Sequence, residues 1–143
     1  MSEQLENAKA LLRSGGCCFV YVDKIKTISS DESGISFLAR LFSQGIDMSE
    51  GAVADKIIGK AAALLLCGLE VGEVYAETVS RHAVEVFGEY GIKLEFGKVV
   101  ADIINRTGDG ICPMEQAVRE ISDPVKACAA INATLERLRK KAN

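Results

Sequence analysis

Lys56 and Lys60 stand four residues apart in the string Ala54-Asp55-Lys56-Ile57-Ile58-Gly59-Lys60-Ala61-Ala62-Ala63-Leu64-Leu65-Leu66. On a helix, two ammonium groups at that spacing share a face and repel. Near a helix start they also oppose the macrodipole. Both costs disappear if an anion lies between them, and Gly59 leaves room for one to approach. The same lysines also fit the wet stripe of a buried helix, and both readings stand. Asp55 would orient Lys56 or cap the helix. Cys112, ahead of Pro113, would sit at a positive helix end, which lowers a thiol pKa and makes a candidate nucleophile. Glu115 would reach back to its N–H as half of a capping box. A nucleophilic thiol needs a base, and the sole histidine, His82, is remote in sequence. The plainer reading of Cys112 is a small residue setting the start of its helix; that of His82 is a surface histidine. Asn105 and Arg106, in the loop Asn105-Arg106-Thr107-Gly108-Asp109-Gly110, would reach a ligand or hold a turn.

The elements that must position these residues follow from pattern. Ser2 caps a helix from Glu3 to about Arg13. Cys17 to Val22 and Ile25 to about Ser29 make a hairpin by β-propensity. A helix follows from about Ile35 to Ser43. Ala54 to Leu66, rich in Ala and Leu without Pro, then reads as a central helix ending at Gly68 and packed on several sides. Val71 to about Val79 is a strand. Ser80 is an N-cap for a helix to Tyr90, which Gly91 stops. Ile92 to Phe96 alternates like a strand with one wet face. Val99 to Ile104 is ambiguous. Pro113 and Pro124 each open a helix.

The strand-helix-strand unit from Val71 to Phe96 implies a parallel crossover, while the hairpin is antiparallel. The expected fold is therefore α/β: a three-layer α/β/α sandwich on a mixed sheet of about four to five strands, in one domain spanning residues 1–143. Ligands of such sheets sit outside the carboxyl ends of the parallel strands, beside helix starts. The starts of the central helix and of the Ser80-Arg81 helix both point there.

The formal net charge of −3 argues against nucleic acid as a partner. No apolar run reaches the roughly 20 residues that a membrane span needs. The polar start Met1-Ser2-Glu3-Gln4 carries no signal peptide, and five cysteines without framework spacing suggest reduced thiols in a cytoplasm.

The strings Ala54-Asp55-Lys56-Ile57-Ile58-Gly59-Lys60-Ala61-Ala62-Ala63, Val74-Tyr75-Ala76-Glu77 and Cys112-Pro113-Met114-Glu115 resemble an uncharacterised prokaryotic family placed in the cytidine-deaminase-like superfamily. The resemblance runs from about Cys17 to the end of the last helix and implies the deaminase fold, without naming an activity. True deaminases hold zinc with a His/Cys-x-Glu motif at one helix start and a Pro-Cys-x-x-Cys motif at the next. Here those starts read Asp55-Lys56-Ile57 and Val79-Ser80-Arg81-His82-Ala83, with no cysteine in either. The chain is thus expected to hold no metal or other cofactor and to perform no zinc-dependent deamination.

Three readings of function follow. In the first, the deaminase pocket is re-lined by Lys56, Gly59, Lys60, Ser80 and Arg81, with Asn105 and Arg106 near it. It binds an anionic, nucleotide-like small molecule bearing a phosphate. In the second, the chain is a thiol-dependent enzyme using Cys112, with Asp55 as a further catalytic candidate. In the third it is an interaction or oligomerisation protein, a homodimer included, whose pocket is vestigial.

Overall fold

The computed structural model describes residues 2–32, 35–105 and 107–142. Among the described residues the elements follow in the order α1 (Glu3–Arg13), β1 (Phe19–Val22), β2 (Thr27–Ser30), α2 (Ser36–Ser43), β3 (Ala52–Ile58), α3 (Lys60–Gly68), β4 (Glu73–Ser80), α4 (Arg81–Tyr90), β5 (Lys93–Val100), α5 (Pro113–Ala117) and α6 (Pro124–Ala142). The fold is α/β, with a five-stranded sheet in the order β2-β1-β3-β4-β5. β1 runs antiparallel to both β2 and β3. β3, β4 and β5 are mutually parallel. The sheet is mixed, as expected, and the crossover from β4 to β5 is the one the pattern predicted.

The main correction concerns the central helix. Ala52–Ile58 is a strand, and the helix begins only at Lys60. Asp55 therefore caps no helix, and Lys56 and Lys60 do not share a helical face. β3 lies between β1 and β4, so Ala52, Val53 and Ala54 are buried on both faces of the sheet. A buried apolar run such as Ala52, Val53 and Ala54 carries no period-2 signal, and the two lysines that follow at helical spacing favour the wrong element. α3 is otherwise as expected: every residue from Ala61 to Cys67 is buried. It packs against α2, α4, α5 and α6.

The alternation along β1 divides the core. Val20 and Val22, with Ala52, Ala54 and Tyr75, meet Leu5, Ala8 and Leu12 of α1. Phe19 and Tyr21, with Val53, Val74 and Ala76, belong to the larger core of α2, α3, α4 and α6. Ser2 caps α1 by accepting the Leu5 N–H at 3.1 Å. Lys9 of α1 is buried yet paired with Glu95 and Glu6, and its ammonium lies 5.1 Å from the Tyr75 ring centre. The hydrogen bond to Glu95 raises its pKa, so the buried lysine stays charged.

Among the described residues no helix is long and apolar enough to cross a membrane.

Candidate functional site

β3 and β4 each run into a helix with almost no loop, so two helix starts face the carboxyl end of the sheet. Each start is capped from within the chain. At α4 the wholly buried Ser80 accepts the Ala83 N–H at 3.1 Å through its side chain. At α3 the carboxylate of Glu115 accepts the Lys60 N–H at 2.7 Å and the Ala61 N–H at 3.0 Å, one on each oxygen. The Glu115 carboxylate is turned from its own helix, α5, to the start of α3, so it does not close a capping box on Cys112; the Cys112 N–H donates to the Ile103 carbonyl instead. The anion at this helix start is a side chain of the protein itself, held by backbone N–H groups and not by the lysine ammonium groups.

Gly59 makes this contact possible. It is the N-cap of α3 in extended conformation, and a Cβ there would lie 2.4 Å from Glu115 Oε1. Gly59→Ala should push the carboxylate off both N–H groups and cost about 2 kcal/mol, as for a lost charge-assisted cap. Glu115→Ala should cost about the same. The double variant should cost no more than either single one; additive losses in chemical denaturation would show that the two residues do not act through one contact.

Beside this cap lies a cavity of about 350 Å³. The pairing of Phe19 with Asp55 brings the start of β1 beside the end of β3. Phe19, Ile35, Phe37, Leu38, Ala61 and Met114 form most of its apolar wall. The segment bearing Ile103, Ile104 and Cys112 forms another side, folded back by the Ile104–Ile111 bridge. Ile57 and Ile104 are half-exposed at the rim. Asp55, Glu115 and the thiols of Cys18 and Cys112 are polar groups within this lining. Burial pushes the Asp55 carboxyl up to about 7, and the charge of Glu77 adds to it, against the N–H groups of Ile57 and Lys56. Desolvation therefore favours the neutral form of Asp55 well above the usual carboxylate range.

The expected site residues divide. Asp55, Lys56, Gly59 and Cys112 line this one cavity. Lys60 turns away, its Nζ donating to the Arg119 carbonyl at 2.9 Å. It borders a separate polar depression of about 90 Å³ with His82, Glu85 and Glu89. His82 also faces Asp102 at 3.4 Å. Arg81 is exposed on α4. Asn105 holds the turn, its Oδ1 accepting the N–H groups of Gly108 at 2.9 Å and Asp109 at 3.2 Å. Arg106 lies outside the described residues. No group of three or more metal-ligating side chains occurs among the described residues. Glu115 as the cap of α3, and Glu32, Cys18 and the apolar wall as lining, were not read from sequence. Gly59 was the available signal, since a glycine at a helix start marks a close approach.

None of the curated proteins matches the chain. Its fold is similar to that in the crystal structure of a DUF1893 family protein (TM1506) from Thermotoga maritima, with a TM-score of 0.82. The two are 24% identical, over 96% of this chain and 92% of that one. The family model described as TM1506, a domain of unknown function (DUF1893), matches residues 7–135, and the chain belongs to that family.

Proposed function

We propose that the protein binds a small, flat, mostly apolar molecule in the cavity at the end of β3, with an N–H-bearing edge of that molecule on Asp55. The observation that carries this reading is the half-buried, desolvated carboxyl of Asp55 in a cavity whose lining is largely apolar. A heterocyclic base of the nucleoside kind has this character: a broad apolar face and a donor-rich edge. Of the cationic residues expected to hold a phosphate, Lys56 lines the cavity and is exposed. A nucleotide-like ligand would thus keep its base inside and its phosphate at the rim. We also propose that the layers are those of the cytidine-deaminase-like α/β/α sandwich, with α1 on one face of the sheet and the other helices opposite. The two core clusters and the strand order support this. Cys112 lies in the same cavity wall, which keeps a thiol role within the same site.

Thermal unfolding with nucleosides and their monophosphates tests the reading. A ligand at about 100 times its Kd stabilises by about 2.7 kcal/mol, a rise of roughly 5–10 °C for a chain of this size. Asp55→Ala should remove most of the rise for every active ligand. Lys56→Ala should weaken only the phosphate-bearing ones. Bound ligand should also slow alkylation of Cys18 and Cys112 but not of Cys17, which packs with the α1 cluster. No stabilisation across the panel, or stabilisation without thiol protection, would sink the proposal.

A further inference from the structure

We infer that Glu115 is a specificity-determining residue that makes the inner end of this cavity reject anions and select neutral or cationic polar groups. The inference rests on the reading of the cavity as a ligand site. The start of a nine-residue helix such as α3 would ordinarily present free N–H donors and a positive dipole end to a ligand. Here the first two N–H groups of α3, those of Lys60 and Ala61, are both taken by Glu115. The carboxylate occupies space that any side chain at position 59 would fill. It lines the cavity together with Gly59 and Asp55. An incoming carboxylate or phosphate would find the Lys60 and Ala61 N–H groups already taken and would face the Glu115 carboxylate, with Asp55 beside it, across apolar walls that screen poorly. A neutral N–H donor or an amidinium would meet acceptors. Lys60 cannot reverse the sign, because its ammonium is turned to the Arg119 carbonyl.

Benzamidine and benzoate separate the possibilities, being flat rings of similar size with oppositely charged head groups. Their binding is measured by calorimetry on the parent protein and on Glu115→Ala and Glu115→Gln, with sulfate as a ring-free anion. Benzamidine should bind the parent at least about tenfold more tightly than benzoate, a difference of about 1.4 kcal/mol. Glu115→Ala should free both N–H groups, gain about tenfold for benzoate, and become stabilised by sulfate, which leaves the parent unchanged. Glu115→Gln loses the charge with little change of shape, so its benzoate gain decides the matter if the alanine variant does not fold. Equal binding of the two rings by the parent overturns the inference while leaving the ligand site standing. So does the absence of any benzoate gain in the folded variants. If the parent binds neither ring yet sulfate stabilises Glu115→Ala, the ligand site falls and the role of Glu115 as occupant of the helix start stands. If nothing binds to any of the proteins, both fall.

Discussion

Asp55→Asn should unfold about 5–10 °C above the parent protein at pH 8, and about as far below it under pH 4, where only the cost of the amide remains. The Asp55 carboxyl is raised from an ordinary 3.8 to about 7 in the folded chain, chiefly by burial. Between those two values the folded state holds a proton that the unfolded state has released. Raising pH through this window therefore favours unfolding. The loss begins near pH 4, grows to about pH 7 and is constant above it. A shift of that size corresponds to at most about 4 kcal/mol. Asparagine cannot ionise, so it escapes this loss; its amide must still find partners, which is why roughly half the gain is expected in practice. Urea unfolding of both proteins at several pH values between 3.5 and 8 reads the difference directly. Parallel pH profiles would show that Asp55 is not held in a desolvating place. The same substitution should weaken ligand binding at the cavity, because a residue held at a cost to the fold is what a binding site often requires.

Gly51→Ala should cost about 3 kcal/mol or more and lower the melting temperature by roughly 6–12 °C. Gly51 is buried just before β3, and a Cβ there would lie 2.5 Å from both the Val22 carbonyl oxygen and Cε1 of the Tyr21 ring. Neither can yield cheaply. The carbonyl belongs to β1, whose pairing with β3 aligns Val22 with Ala52. The ring is wholly buried and anchored by its hydroxyl, which donates to Asp23 at 2.7 Å. Gly51 also accepts the Gly72 N–H at 3.0 Å, tying the entrances of β3 and β4 together. Gly88→Ala is the matched control. Gly88 is exposed on α4 with nothing within 4 Å of its missing Cβ, so alanine there should stabilise by up to about 1 kcal/mol through helix propensity. Because Gly51 lies at the end of β3 away from the cavity, folded Gly51→Ala should keep its ligand affinity. Equal stability of Gly51→Ala and the parent would mean that β1 and β3 do not meet as described.

Most of the elements were legible in the chain because their ends are written locally. Ser2, Ser80, Gly91, Pro113 and Pro124 each act within a turn or two of themselves, and each stands at the helix end expected for it. The parallel pair β4–β5 was legible for the same reason: alternation and a capped helix between two strands. The stretch Ala52–Ile58 was not. The run Ala52-Val53-Ala54, covered on both faces, has the same apolar pattern as a helix buried all round, and here strand and helix follow each other with only Gly59 between them. Which residues become strand was decided by β1 and β4, whose edges supply the backbone partners for β3. The site followed the same division. That Asp55, Lys56, Gly59 and Cys112 are candidates to meet a ligand could be read from residue type, and the fold brings the four to one cavity. That Asp55 is desolvated, that Lys60 turns outward, and that the acceptor at the start of α3 is Glu115, 55 residues beyond Lys60, could not. Local preferences reach a few residues along the chain; the burial that raises a carboxyl pKa and the contact that fills a helix start exist only after distant segments have packed.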